Sequence, residues 1–261
     1  EGERGTSEVS IMMAANTYYI NPPVASSVQV TDSSVLGKVD GDGVVNVYFY
    51  TEMGDSPAST GGNVDVAGST VDGVVNGDGA VDIYLGTRFG GTAHPTSGGN
   101  IHVSDSDLTS TVSGGSRSRV ELNTHGYRNT ASGGNITVDT GSILSAVCGS
   151  NGEPSGEETS VNLLGNTVVV DSSTLSAMVG PLGGAAYISC NSTRNTNILG
   201  SIFETIANGW AKMSGMWLGA GGNFTIANKG AVRSDFSVAA NGSATNNRID
   251  IEVKDNVTIT N

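Results

Sequence analysis

Little in this sequence is basic, aromatic or sulfur-bearing, and each shortage closes a line of function. Lys and Arg number 12 against 25 Asp and Glu, a formal net charge of −13. Nucleic acid and anionic lipid both reward clustered positive charge, so neither is an expected partner. Two cysteines in 261 residues are too few for a disulfide framework. No apolar run approaches the ~18 residues of a transmembrane helix, so this segment is not expected to insert into a membrane. No stretch shows the apolar period of a helix over a useful length. His94, His102 and His125 fall in or next to different loops without metal-ligand spacing. There is no serine elbow, phosphate loop or local Cys–His pair. Arg117 and Arg119 are the only close basic pair, and no catalytic residue is singled out. An enzyme is the less favoured reading.

Present in quantity are 38 glycines, with many Ser, Thr, Asn and Asp, the residues of tight turns. They frame a motif that returns along the chain: Gly-Asn, an alternating apolar triplet, then Ser-x-apolar-x-x-x-apolar. The clear copies are Gly62-Asn63-Val64-Asp65-Val66, Gly99-Asn100-Ile101-His102-Val103, Gly134-Asn135-Ile136-Thr137-Val138 and Gly222-Asn223-Phe224-Thr225-Ile226. Weaker copies start at Gly165-Asn166, at Asn197-Ile198 and at Ser27-Val28-Gln29-Val30. From Asn63 to Asn100 is 37 residues, from Asn100 to Asn135 is 35 and from Asn135 to Asn166 is 31. A repeat at this period signifies a stacked, quasi-one-dimensional architecture.

Two residues after the motif serine stands Val35, Val71, Leu108, Leu144, Leu175, Phe203 or Val232, and four further on Val39, Val75, Val112, Cys148, Val179, Ala207 or Phe236. A third alternating stretch follows most copies, such as Val45-x-Val47-x-Phe49 and Val81-x-Ile83-x-Leu85. Alternation at period two is that of a strand with one buried face. Three short strands per repeat predict an all-β, right-handed parallel β-helix of about seven coils. A β-sandwich also has short strands and frequent turns, but it gives no reason for serine and leucine to recur at one offset. Residues 1–25 are expected to form an N-terminal cap or lead-in, and 26–261 the solenoid. The strand-like Asn256-Val257-Thr258-Ile259-Thr260-Asn261 suggests a fragment of a longer chain, whose open coils could pair into a filament. In this register Cys148 and Cys190 point inward, either as small buried hydrophobes or as a disulfide between adjacent coils.

Two neighbouring copies carry acidic turns, Asp40-Gly41-Asp42-Gly43 and Asn76-Gly77-Asp78-Gly79. An EF-hand is excluded: its first and twelfth positions would be Lys38 and Phe49, or Val74 and Leu85. In-register stacking would set Asp40 beside Asn76, Asp42 beside Asp78 and Asn46 beside Asp82. Such acids are either solvated or bridged by Ca2+, for which Asp40, Asp42, Asn76, Asp78 and Asp82 are the candidate ligands. The outward residues of the third strands, Tyr48, Tyr50, Asp82, Tyr84 and Glu121, form an aromatic and acidic ledge. That ledge either binds a glycan, through ring stacking and hydroxyl hydrogen bonds, or stabilises the sheet by cross-strand contacts. Five Asn-x-Ser/Thr sequons in a chain this rich in Asn, Ser and Thr carry no weight.

The pattern Gly-Asn-Ile-Thr-Val followed by Ser-x-Leu-Ser-x-Val resembles the passenger regions of bacterial autotransporters and related surface adhesins over about residues 26–261. Such passengers are Gly-, Asn- and Ser-rich and helix-free, although they usually avoid cysteine. The resemblance implies an extracellular or cell-surface stalk acting in adhesion, self-association or surface assembly. Its partners would be itself or a cell-surface glycan, with loops such as 52–60, 87–97 and 123–132 as contact points. A carbohydrate-binding or carbohydrate-cleaving β-helix is the alternative.

Overall fold

In the computed structural model the chain winds as a right-handed parallel β-helix of seven coils, each contributing one strand to each of three parallel sheets. The structure describes residues 6–17, 26–53, 62–89, 99–125, 133–149, 158–180, 184–209, 213–238 and 246–260. Among them there is no helix. A leading strand, β1 (Ser7–Thr17), precedes the first coil of β2 (Val28–Thr31), β3 (Ser34–Val39) and β4 (Gly43–Met53). The second coil is β5 (Val64–Ala67), β6 (Thr70–Val75) and β7 (Gly79–Phe89). The third is β8 (Ile101–Ser104), β9 (Asp107–Val112) and β10 (Ser116–Asn123), and the fourth β11 (Ile136–Asp139), β12 (Ile143–Cys148) and β13 (Glu158–Gly165). Then come β14 (Val168–Asp171), β15 (Thr174–Val179) and β16 (Ala185–Ser192), and β17 (Thr196–Leu199), β18 (Ile202–Gly209) and β19 (Met213–Ala220). The seventh coil is β20 (Phe224–Ala227), β21 (Ala231–Val238) and β22 (Asn246–Val253), after which β23 (Val257–Ile259) starts another turn.

Sheet A runs β1-β4-β7-β10-β13-β16-β19-β22, sheet B runs β2-β5-β8-β11-β14-β17-β20-β23 and sheet C runs β3-β6-β9-β12-β15-β18-β21 in space. Every strand pairs in parallel with its equivalent in the next coil, so like residues stack. In sheet C Val71, Leu108, Leu144, Leu175 and Phe203 form one fully buried file. Val66, Val103, Val138 and Val170 form another in sheet B. Each such side chain contributes about 1.5–3 kcal/mol on burial. The files run without a break, giving one continuous core along the axis. Cys148 stacks between Val112 and Val179, and Cys190 between Leu163 and Leu218. Both are buried, free thiols on different sheets, so the inter-coil disulfide does not form. Burial pushes the Cys190 thiol up to about 12, against a hydrogen bond from Thr196. Deprotonation there is suppressed, and with it thiolate reactivity.

The recurring serine closes the corner between sheets B and C. Each corner turns at a residue with positive φ: Asp32, Gly68, Asp105, Ser172 and Gly200, at 46–57°. The next residue is the serine, whose Oγ donates to the carbonyl two residues back: Ser69 to Ala67 at 2.8 Å, Ser106 to Ser104 at 2.7 Å, Ser173 to Asp171 at 2.8 Å. The same Oγ accepts the serine N–H of the preceding coil, as from Ser69 N to Ser106 Oγ at 3.0 Å and from Ser173 N to Ser201 Oγ at 3.1 Å. The motif asparagine does similar work at the start of sheet B. Asn100 N donates to Asn63 Oδ1 at 3.0 Å, and Asn135 N to Asn100 Oδ1 at 2.9 Å. Two weaker copies are shifted from the sequence alignment. Val168 and Thr196 align with Ile136, so the asparagine positions there are Thr167 and Asn195, in place of Asn166 and Asn197.

Candidate functional site

Inward alternation on sheet A leaves the other residues of each strand facing out, and parallel register sets them in rows along the axis. One outward row is Ser10, Asn46, Asp82, Arg119, Ser160, Tyr187, Gly215 and Arg248. The next is Met12, Tyr48, Tyr84, Glu121, Asn162, Ser189, Trp217 and Asp250. Tyr48, Tyr50, Tyr84, Tyr187 and Trp217 all stand on this outer face.

The residues proposed for the ledge lie together on β4, β7 and β10. Tyr48 and Tyr84 face each other across adjacent strands with centroids 6.0 Å apart and planes at 89°. A Cβ added at Gly86 would stand 2.2 Å from Tyr84 Cε1, so the Tyr84 ring lies over that glycine and against the sheet. The pair makes a corner with one flat ring and one upright ring, an edge-to-face arrangement that suits aromatic quadrupoles. Tyr50 is 8% exposed and donates its hydroxyl to Met12 Sδ at 3.4 Å, so little of its ring is open to a ligand.

Beside the corner Asp82 is 3% exposed. Its carboxylate pairs with Arg117 Nη2 and takes Arg119 Nε at 3.0 Å. Arg119 reaches Glu121 with Nη1 at 3.1 Å. Burial works against the Arg119 charge, but Asp82 and Glu121 outweigh it and raise the guanidinium above its ordinary range. Burying one partner of such a network without the others is costly, so Asp82 anchors the two guanidiniums. What this part of the face presents outward is the Arg117 and Arg119 guanidiniums and the Glu121 carboxylate.

The acidic turns stack as the register requires. Asn76 Nδ2 donates to Asp40 Oδ1 at 2.6 Å, and Lys38 Nζ lies 2.9 Å from the same oxygen. These contacts, Lys38 first, hold the Asp40 carboxyl below its usual range. Asp42 Oδ1 accepts the Asp78 N–H at 3.0 Å, and Asp78 Oδ1 accepts the Gly115 N–H at 2.9 Å. Asp82 stands apart on the strand, held by its arginines. Each acid already has a donor, and among the described residues no three His, Cys, Asp or Glu side chains gather as a metal cluster.

His102 Nε2 sits 3.3 Å from both Asp139 oxygens on sheet B. His94 and most of loops 52–60, 87–97 and 123–132 lie outside the described residues. Sequence reading missed the far end of sheet A, where Tyr187 and Trp217 pair at 5.5 Å and 81°. Its signal was weak: the inward residues of β19 are Ser214, Met216, Leu218 and Ala220, only two of them large and apolar, and Gly215 and Gly219 flank Trp217 on the outer face. No family model, no curated protein and no solved structure matches the chain.

Proposed function

We propose that this chain is part of an extracellular or cell-surface β-solenoid, of the kind found in bacterial autotransporter passengers and related adhesins, and that it acts in adhesion by holding a surface glycan on the outer face of sheet A. The reading rests on the Tyr48–Tyr84 corner beside the Asp82-anchored arginines. Aromatic faces accept the C–H faces of sugars, while guanidinium and carboxylate groups exchange hydrogen bonds with hydroxyls. Seven stacked coils supply a rigid backing, so little ordering entropy opposes binding.

The test is retention of the whole chain on immobilised glycans, compared with Tyr84→Ala, alongside sedimentation over a concentration series. Binding that weakens on loss of Tyr84, with the chain monomeric, supports adhesion through this face. A chain that ignores glycans and forms oligomers as concentration rises acts by self-association instead.

A further inference from the structure

The sheet A face carries a second aromatic corner, four strands from Tyr84 along the same row. At the usual strand spacing that is about 19 Å. Trp217 is 37% exposed and stands edge-to-face with Tyr187. Its neighbours on the outer face of β19 are glycines, which lowers the surface on both sides. A Cβ at Gly215 would lie 3.9 Å from the Trp217 indole, and one at Gly219 would lie 2.4 Å from Asn191 Oδ1. The indole therefore leans toward Gly215, and the Asn191 amide fills the place over Gly219. Asn191 is held in turn by a 2.7 Å bond from its Nδ2 to Ser189 Oγ.

A cavity of about 520 Å³ opens beside Trp217, lined among others by Ser189, Asn191, Arg248, Asp250 and Glu252. Its volume falls within the range of small-molecule sites, roughly 300–1,000 Å³, and it combines one aromatic wall with a few convergent polar groups. We propose that this cavity is a second saccharide site, taking a neutral pyranose of a linear glycan whose other end rests on the Tyr48–Tyr84 corner. The inference builds on the glycan reading of sheet A and adds a place, a sugar class and a direction along the solenoid axis.

Three observations carry it. The indole offers the apolar face that a pyranose ring stacks on. The lining is mostly acceptor, with two carboxylates against one guanidinium, and Arg248 Nε already bonds Asp250 Oδ1 at 2.5 Å; hydroxyl hydrogens suit this lining, whereas uronates or sialates meet repulsion. Finally, a glycan laid along the axis meets a new strand every ~4.8 Å, close to the length of one sugar unit, so successive residues find equivalent positions on successive coils. Tyr187 stands edge-to-face against the Trp217 indole outside the cavity lining. Its hydroxyl donates to Glu158, and burial, with that bond, pushes its phenol up to about 12.

The experiment is calorimetric titration of the whole chain with neutral linear hexasaccharides (β-1,4-glucan, β-1,3-glucan, β-1,4-mannan and α-1,4-glucan) and their disaccharides, with a uronate hexamer as contrast. One neutral hexasaccharide is expected to bind more tightly than its disaccharide. Trp217→Ala should weaken that binding by about two- to tenfold, the scale of one aromatic contact, with circular dichroism unchanged, and Trp217→Phe should restore most of it. Glu252→Gln provides a second variant that leaves the aromatic wall in place and should also weaken binding. If Tyr84→Ala abolishes binding while Trp217→Ala and Glu252→Gln bind as the parent does, the second site is refuted and the first remains. If no glycan binds, both readings fall. Preference for the uronate hexamer overturns the neutral-sugar assignment.

Discussion

A single hydroxyl explains why serine recurs where other small polar residues would also turn a chain. Ser106 accepts the Ser69 N–H at 3.0 Å, donates to the Ser104 carbonyl at 2.7 Å and sends its own N–H to Ser142 Oγ at 3.3 Å. It is 3% exposed, so solvent cannot replace these partners. Ser106→Ala removes two of the three bonds and orphans the Ser69 N–H on the preceding coil. A buried donor left unmatched costs about 1–3 kcal/mol, so the urea midpoint should fall accordingly, with the m-value kept. An unchanged midpoint would mean that the ladder follows from the stacking and does not support it. The fourth and seventh corners vary the device. Each spends one more residue and two positive φ values, at Thr140–Gly141 and Asn228–Lys229, before reaching Ser142 or Gly230.

Strand by strand, side-chain volumes are matched across the corner between sheets C and A. Gly37 and Gly73 face Val45 and Val81, and a Cβ at either glycine would stand 2.6 Å or 2.3 Å from the valine Cγ1. One coil on, the same positions hold Ser110 and Ser118, whose hydroxyls bond at 2.7 Å, and in the sixth coil Thr205 and Ser214, at 2.9 Å. Valine cannot easily rotate away, because two methyl groups on Cβ fix χ1. Gly73→Ala should therefore cost about 1–3 kcal/mol as overpacking. Adding Val81→Ala should return much of that loss, since Ala177 and Ala186 occupy these positions in the fifth coil. Thermal melts of the single and double variants check it; a double variant worse than the sum would show that the valine does more than fill space.

Period and offset were legible in the sequence because burial imposes alternation, and stacking imposes the same alternation on every coil. Asn166 misled the alignment because asparagine suits both the turn and the ladder, and only register separates it from Thr167. On the ledge, Tyr48, Tyr84 and Asp82 could be placed side by side from the repeat alone. That Asp82 is buried under two guanidiniums could not, since nothing in a two-residue period ranks outward residues by exposure. Trp217 was hidden for another reason: of the inward residues around it only Met216 and Leu218 are large and apolar, so its strand carries a weak signal.

At the scale of the molecule, each coil touches only its neighbours, so stability should behave as a chain of nearest-neighbour terms. Leu108, Leu144 and Phe203 test this within one buried file. Leu108 and Leu144 are register partners on adjacent coils, while Phe203 lies three strands from Leu108, about 14 Å at the normal strand spacing. Leu108→Ala and Leu144→Ala should each cost about 2–5 kcal/mol, and Phe203→Ala about 3–5 kcal/mol, as cavities in a close-packed core. Side chains in contact relax into one another's cavities, so Leu108→Ala with Leu144→Ala should depart from additivity by about 0.5 kcal/mol or more. Leu108→Ala with Phe203→Ala shares no wall and should add within about 0.5 kcal/mol. Urea unfolding of the four species in each cycle, followed by circular dichroism, gives both coupling energies. Equal coupling at both separations would mean that the core responds as one body, and the stacked-coil account of its stability would have to be given up.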